Sequence, residues 1–367
     1  MRDAIERLQG SLIREIANAG MGRADVLAFW FGESDEVTPE VIRRAAIESL
    51  ERGETFYSQN LGLPELRESL ARYTSALHPP LGAERIVVTP VWPNLVAQPA
   101  IMGADVRCVA LEPVDGAWTL DMHKLLAAVT ARTKLLVINA PNNPTGWTLT
   151  RDEQQRILAH CRATGTWLLA DEVYERLYFE PTASGCAPSF LDIAAPDDRL
   201  IVAHSFSKSF LMTGWRLGWL VVPATLTDAM GKLIEFNTSC ASVFTQRAAL
   251  AALAHRDEIT PAIVTHLATC RATLLPLLAA IPGVQVASPR GGMYAFFKID
   301  GFDDSLTVAR RLVVEAGLGL APGAAFAPEA GGWLRWCFAA KDTGRLVEGV
   351  RRLRVWLEAS ARPVESA

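Results

Sequence analysis

Residues 205–216 read Ser205-Phe206-Ser207-Lys208-Ser209-Phe210-Leu211-Met212-Thr213-Gly214-Trp215-Arg216. One apolar run, 200–203, leads into this stretch and a second, 217–222, leads out of it. Both runs are predicted to be buried strands. A lysine set between buried strands has a lowered pKa, which Schiff-base chemistry requires. The planar guanidinium of Arg216 can hold a phosphate through two parallel hydrogen bonds. The stretch therefore predicts a small anionic ligand bound between Lys208 and Arg216.

The composition is that of an ordinary globular protein: 367 residues, 50% of them hydrophobic and 21% charged. A net charge of −4 gives no indication of nucleic acid or an anionic membrane as a partner. The six cysteines are scattered without metal-ligand spacing, so we expect a reducing compartment and no metal site. The first 18 residues read as an amphipathic helix and not as a signal peptide, and no apolar run approaches the length of a membrane span. We expect a cytoplasmic protein.

Short β-branched runs alternate with helical stretches from residue 84 to 222, which is the pattern of an α/β fold. We expect a large domain over 46–265, with a mostly parallel sheet covered by helices on both faces. A smaller α+β domain is expected over 266–367, with residues 1–45 packing onto it. The predicted strands of the large domain cover 85–89, 106–111, 134–139, 166–171, 200–204 and 217–222.

The carboxyl ends of three successive strands carry polar residues, and ligands of open α/β sheets bind at that edge. The strand 134–139 runs into a proline-rich loop, where Asn143 precedes a proline and can present a rigid amide. The next strand ends at Asp171, with Tyr174 three residues later. A buried carboxylate needs a partner, and a cationic heteroaromatic nitrogen would supply one. The third strand contributes Ser205 and Lys208.

In this order and spacing, N-A-P-N-N-P-T-G (139–146), D-E-V-Y (171–174), S-F-S-K (205–208) and Arg216 resemble the class I/II aminotransferases of fold type I. The resemblance runs from about Leu27 to the C-terminal end. It implies an amino-acid:2-oxo-acid transaminase that uses pyridoxal 5′-phosphate in a ping-pong aldimine mechanism. It also implies amino acids and 2-oxo acids as substrates, and a homodimer.

The resemblance also implies roles for individual residues. Lys208 would form the internal aldimine and move the proton, Asp171 would pair with the ring nitrogen, and Tyr174 would donate to the phenolate oxygen of the cofactor. The cofactor phosphate, the ring face and the substrate carboxylate would be held by a larger group. The phosphate would be held by Ser205, Ser207 and Arg216, together with Tyr57 of the neighbouring subunit, and the ring face by Trp92. The substrate would be held by Gly32, Asn143 and Arg335, and Asn143 would also contact the cofactor.

The chain departs from the family at the junction of Thr89 and Pro90. There the family usually has a small-residue turn and a helix, whose N-terminus contributes backbone N–H groups to the phosphate. In this sequence Thr89 is joined directly to Pro90-Val91-Trp92-Pro93, which indicates one internal deletion. We expect the remaining strand 85–89, a helix over 94–102 and the strand 106–111 to form a βαβ crossover. Weaker cofactor binding is the expected consequence.

Two alternatives to a transaminase stay open. One is a C–S lyase of the same fold, which would use the same lysine and aspartate but would bind its substrate differently. The other is a catalytically impaired homologue that lacks the phosphate-binding helix. Arg335 predicts an α-carboxylate on the substrate, and no second arginine for a dicarboxylate is evident, so a neutral or aromatic amino acid is favoured.

Overall fold

The computed structural model describes residues 3–6, 8–89 and 95–360. Its helices are α1 (Asp3–Glu6), α2 (Leu12–Gly20), α3 (Glu40–Glu51), α4 (Pro64–Leu77), α5 (Ala97–Ile101), α6 (Met122–Ala128), α7 (Arg151–Thr164), α8 (Phe206–Ser209), α9 (Thr227–Asn237), α10 (Val243–Ala254), α11 (Arg256–Ala279), α12 (Ser305–Arg311) and α13 (Thr343–Ser360). Its strands are β1 (Leu27–Ala28), β2 (Ile86–Thr89), β3 (Glu112–Val114), β4 (Ala117–Thr119), β5 (Leu135–Asn139), β6 (Trp167–Asp171), β7 (Leu200–Ser205), β8 (Gly218–Val221), β9 (Val284–Val286), β10 (Tyr294–Ile299), β11 (Leu318–Gly319), β12 (Ala321–Pro322) and β13 (Trp333–Cys337).

The larger sheet has the strand order β2-β8-β7-β6-β5. Strands β5, β6 and β7 pair in parallel, whereas β8 is antiparallel to both of its neighbours. Four of its strands therefore point the same way, which confirms the mostly parallel sheet. Apolar side chains between this sheet and its helices form the first core, in which Ile86, Leu168 and Val202 are fully buried.

The predicted strand over 106–111 is wrong. This segment has no strand partner, and β5 is the edge of the sheet in the described part of the chain. Val109 and Leu111 are half-buried against the first core. The apolar residues of the segment therefore pack on the core without backbone hydrogen bonds to a neighbouring strand. Helix α5 is also shorter than the predicted 94–102. The predicted βαβ crossover therefore does not form.

A second core surrounds the antiparallel sheet β12-β13-β10-β9. Helices α11 and α13 cover this sheet, and Ile16 and Ala17 of α2 lie in the same core. Strand β1 pairs in parallel with β11, which ties the N-terminal residues to this unit. The second unit is thus of α+β type, as predicted, while the division between domains at residue 266 stays a prediction.

Helix α11 is long and apolar enough to cross a membrane by length and composition, so the sequence-based statement that no run approaches that length is wrong. In this fold one face of the helix, with Leu267, Cys270, Leu274 and Leu278, is buried in the second core. Core helices of globular proteins often have this composition. This face fixes the helix to the second core.

A buried network of charged side chains joins the C-terminal end of α4 to the segment after β6. His78 lies between two carboxylates, with Nδ1 2.7 Å from Asp192 Oδ1 and Nε2 3.1 Å from Glu175 Oε2. Glu172 and His204 complete the network, and their ligand-type atoms and those of Glu175 all lie within 4.8 Å of one another. Burial alone would lower the pKa of His78, but the hydrogen bonds to Asp192 and Glu175 outweigh it and raise the pKa to about 10.

We expect His78→Gln to destabilise the fold by about 3–5 kcal/mol at pH 7, because it leaves the buried Glu175 without the cation that it shares with Asp192, whereas the half-buried Asp192 keeps Arg151. The folded pKa of His78, about 10, is above its ordinary value of 6.5. Its contribution is therefore complete below pH 6.5 and is lost as the pH rises through 10. Urea unfolding at pH 7 and pH 10 measures this, with His255→Gln, at a half-exposed histidine, as control. A difference between wild type and H78Q that did not shrink with rising pH would contradict the assignment.

Candidate active site

The carboxyl ends of the neighbouring parallel strands bring the predicted polar residues together. Strand β5 ends at Asn139 and β6 at Asp171, and these two residues are register partners. Strand β7 ends at Ser205, whose hydroxyl accepts a hydrogen bond from the Ser207 N–H at the start of α8. Lys208 lies on this short helix. The sheet thus delivers a carboxyl group and an amine to one edge, where the motifs placed them.

Lys208 is the buried amine of this site, with a relative exposure of 5%. Its ammonium donates a hydrogen bond to the carbonyl oxygen of Gly32, and its Nζ lies 5.8 Å from the ring centroid of Tyr174. Burial lowers the pKa of Lys208 to about 8. A lysine with this pKa is partly neutral at pH 7–8, and the neutral amine is the form that attacks a carbonyl carbon.

Asp171 is buried at the end of β6. Burial raises the pKa of its carboxyl to about 7, although a hydrogen bond from the Val173 N–H and the charge of Lys208 both lower it. No cation forms an ion pair with Asp171 among the described residues. A buried carboxyl in this position is suited to pair with a protonated ring nitrogen, because that partner would offset the cost of the buried charge.

Arg335 lies in the middle of β13 and is 3% exposed. Its Nη1 donates to Asn143 Oδ1 over 3.0 Å, and its Nη2 donates to the carbonyl oxygen of Trp30. Its Nε finds no acceptor in the described part of the chain. An unmade hydrogen bond of a buried group costs about 1–3 kcal/mol, so this edge of the guanidinium is suited to receive a carboxylate.

Two tyrosines lie between the Lys208 side and the Arg335 side of the site. The hydroxyl of Tyr174 is 2.7 Å from the hydroxyl of Tyr294, and the Arg335 Cζ lies 4.6 Å from the Tyr294 ring centroid. A Cβ atom at Gly32 would clash with the Tyr294 hydroxyl. Glycine at position 32 therefore lets the backbone approach both this tyrosine and Lys208.

Three of the four residues predicted to contact a phosphate, Ser205, Ser207 and Arg216, lie close together at α8. Arg216 Nη1 is 3.5 Å from Ser207 Oγ and donates to the Thr213 carbonyl oxygen over 2.6 Å. Ser205 and Ser207 are buried beside it. One guanidinium and two hydroxyls thus form a small polar group, and their contact with a phosphate stays a prediction.

Two predicted residues are not part of this buried group. Tyr57 is 88% exposed and lies next to Phe56, which is 82% exposed; its predicted role in a neighbouring subunit places it outside the site of its own chain. Trp92 lies outside the described residues, so its stacking role stays a prediction.

Sequence reasoning missed Tyr294 and Cys337. Tyr294 begins β10 and is the register partner of Cys337, two residues beyond Arg335 on β13. The Cys337 thiol donates to the Glu33 carbonyl oxygen over 3.4 Å. The only sequence signal for Tyr294 is a hydroxyl-bearing aromatic at the start of an apolar strand, and the pairing of β10 with β13 was needed to place it beside the arginine.

Comparisons with known proteins place these motifs in a family context. The family model "Aminotransferase class I and II" matches residues 81–353. A probable aspartate/prephenate aminotransferase of Aquifex aeolicus is 30% identical, with 91% of this chain and 91% of that protein covered. An aspartate aminotransferase of Thermotoga maritima is also 30% identical, with 91% and 92% covered.

Solved structures give the same result. The crystal structure of an aspartate aminotransferase from Thermotoga maritima matches with a TM-score of 0.87 and 28% identity, covering 98% of this chain and 100% of that one. An aromatic aminotransferase from Pyrococcus horikoshii matches with a TM-score of 0.83 and 26% identity, covering 94% and 99%. The likeness extends over both cores.

Proposed function

The chain belongs to the class I and II aminotransferases, which are pyridoxal phosphate enzymes, and on this premise we propose that its chemistry takes place between Lys208, Asp171 and Arg335. The protein is an amino-acid:2-oxo-acid transaminase. One observation supports the placement of its site most strongly: a buried amine, a buried carboxyl and a buried guanidinium with an unpaired Nε lie together at the carboxyl edge of the sheet.

The residues present fit pyridoxal phosphate, because the buried Asp171 carboxyl, the Lys208 amine and the Arg216 guanidinium match its ring nitrogen, its aldehyde and its phosphate in charge and chemistry. When bound, the cofactor supplies an electrophilic carbonyl carbon and a protonated ring that accepts an electron pair. Asp171 holds the proton on the ring nitrogen. Tyr174 and Asn143 donate hydrogen bonds to the phenolate oxygen.

Lys208 acts as the base and acid that moves the substrate proton. Its lowered pKa leaves the Nζ ready to take up a proton from the substrate Cα and to return it to a neighbouring carbon. Arg335 binds the α-carboxylate through its unpaired Nε, and Gly32 lets the backbone come close to the same group. Ser205, Ser207 and Arg216 bind the phosphate.

We also propose that the substrate is a neutral or aromatic amino acid. The wall around Arg335 is aromatic, because the rings of Tyr294 and Phe326 lie over its guanidinium. The centroid of the Phe326 ring is 4.9 Å from Arg335 Cζ, and this ring makes an edge-to-face contact with Phe296. A second carboxylate on the substrate would need a cation, and this wall offers none in the described residues. The names of the relatives include aspartate and aromatic aminotransferases, so both side-chain classes must be compared.

We expect L-phenylalanine and L-leucine to convert the cofactor-loaded enzyme at least ~10-fold faster than L-aspartate, because an unpaired carboxylate in an aromatic pocket costs more than the 1.4 kcal/mol that a factor of ten represents. Stopped-flow absorbance of the half-reaction, with no oxo acid present, measures this. Phenylethylamine, which lacks the carboxylate that Arg335 binds, serves as control and should not react. Equal rates for aspartate and phenylalanine would overturn the substrate assignment.

A homodimer is part of the proposal. Phe56, Tyr57, Leu233 and Phe236 are apolar or aromatic and between 63% and 91% exposed, and such a surface is typical of an interface. Burying it against a second copy would also carry Tyr57 towards the neighbouring phosphate. A cytoplasmic location is proposed from the scattered cysteine thiols, which suit a reducing compartment.

The internal deletion at Thr89 and Pro90 is likewise a proposal. Its support is that β5 lies at a sheet edge, that 106–111 forms no strand, and that α5 spans five residues. The alignment with the Aquifex aeolicus relative spans 368 positions but includes only 91% of the 367 residues of this chain. Some of its positions are therefore gaps in this chain, as expected if that relative carries extra residues. None of the relatives described above is named a lyase, so the lyase alternative is not retained.

A further inference from the structure

Tyr294 belongs to the aromatic wall around Arg335, but the roles above give its hydroxyl no function. It is 1% exposed at the start of β10. Its ring lies edge-on to the Tyr174 ring, with centroids 5.8 Å apart, and one of its faces carries the Arg335 guanidinium at 4.6 Å. A single side chain therefore touches both the residue proposed to hold the cofactor oxygen and the residue proposed to hold the substrate carboxylate.

Either of the two hydroxyls can donate to the other, and a ligand beside Tyr174 would decide which one does. The Tyr294 hydroxyl has no other hydrogen-bond partner in the described part of the chain than the Tyr174 hydroxyl, 2.7 Å away. If Tyr174 gives its own proton to a ligand oxygen, its oxygen must accept the proton of Tyr294. A hydroxyl that accepts one hydrogen bond donates a stronger one. Tyr294 thus sets Tyr174 as a donor towards the ligand.

The ring has a separate effect on Arg335. Tyr294 and Phe326 both lie within 4.9 Å of the guanidinium carbon, close enough for cation–π attraction from each ring. With Nη1 on Asn143 and Nη2 on the Trp30 carbonyl, this ring contact leaves Nε as the edge without a partner. The orientation in which Arg335 can meet a carboxylate thus depends on the Tyr294 ring.

We propose that Tyr294 is a positioning residue that acts on both ends of the site: its hydroxyl directs the proton of Tyr174, and its ring orients Arg335. The proposal rests on the proposed function, since it names what the site's own residues do for the same reaction. The two effects can be tested separately, because Tyr294→Phe removes the hydroxyl and keeps the ring.

The test uses the cofactor-loaded wild type, Tyr294→Phe and Tyr294→Leu. Tyr294→Phe keeps the ring, so we expect KM for phenylalanine to stay within about twofold, while kcat falls about 5–10-fold. A weaker donor at Tyr174 should raise the pKa of the visible band of the lysine-bound cofactor by roughly half a unit to one unit, which is the size of one neutral hydrogen bond. Tyr294→Leu should also raise KM about tenfold.

Tyr178→Phe is the matched control, because it removes a tyrosine hydroxyl that bonds Glu180 and Arg290 away from Lys208. It should leave the pKa of the band, kcat and KM unchanged. Calorimetric binding of 3-phenylpropionate gives a readout without turnover: Y294F should bind it as the wild type does, and Y294L about tenfold more weakly.

Three outcomes would overturn the proposal: an unchanged band pKa in Y294F, a control that shifts as much as Y294F, or equal binding of 3-phenylpropionate by Y294F and Y294L. Failure of the proposed function looks different, since the wild type would then show no amino-acid-dependent change of the band. In that case the binding of 3-phenylpropionate by Y294F and Y294L still decides whether the Tyr294 ring orients Arg335.

Discussion

Replacing Lys208 by alanine is expected to abolish transamination. The amine is the group proposed to bond the cofactor and to move the substrate proton, and a positioned acid–base group alone contributes about 10²–10⁴-fold to a rate. No other amine can substitute for it in the described residues around Asp171 and Arg335. We therefore expect the half-reaction to fall below detection and the visible band of the lysine-bound cofactor to disappear.

Borohydride reduction followed by peptide mass analysis measures the covalent part of this expectation. The wild type should carry the cofactor mass on the peptide that contains Lys208, and K208A should carry none. Lys232→Ala is the matched control, because Lys232 is an exposed lysine paired with Asp228 on the surface, and it should leave both the label and the rate unchanged. A visible band that survives in K208A, or a label on another lysine, would refute the role of Lys208.

The wild-type protein is expected to bind pyridoxal phosphate roughly 10²–10⁴-fold more weakly than a relative that has a phosphate-binding helix after the first strand of the sheet. Each charge-assisted hydrogen bond lost with that helix is worth about 1.5–3 kcal/mol, and 1.4 kcal/mol is a factor of ten in affinity. The remaining phosphate contacts proposed within the chain are Ser205, Ser207 and Arg216. Titration of the visible band with pyridoxal phosphate measures the dissociation constant.

Two variants test the cause of this weak binding. Arg216→Gln should weaken cofactor binding further, because it removes the guanidinium of the group. Insertion of a small-residue turn and helix of the kind usual in the family between Thr89 and Pro90 should tighten binding. Tight, stoichiometric formation of the band by the unmodified chain would contradict the prediction.

The sequence predicted the parts of the site that depend on local order along the chain. Asp171, Ser205 and Lys208 follow neighbouring parallel strands, and the carboxyl ends of such strands must meet. Tyr294 could not be found in this way, because its contact with Arg335 depends on the antiparallel register of β10 and β13, which joins residues far apart in sequence. Register is set by packing, and the apolar pattern of either strand alone leaves it open.

The wrong strand over 106–111 has a different cause. Its residues have the apolar, β-branched composition of a strand, but a strand also needs a neighbour that offers hydrogen bonds in register. In the described structure its apolar side chains contact the core without such a neighbour. The N-terminal prediction was also too simple: the expected single helix over 1–18 is replaced by α1 and α2, and Ser11 caps the second by accepting a hydrogen bond from the Arg14 N–H.

The position of β5 at the sheet edge has a consequence for how the protein behaves during synthesis and storage. Among the described residues β5 has β6 as its single strand neighbour, and Leu135 at its start is 41% exposed. The outer row of backbone N–H and C=O groups on such a strand is a template for a strand from another molecule. Unwanted aggregation of concentrated or newly made chains should therefore begin at 135–139, with Lys134 as the charge that opposes it.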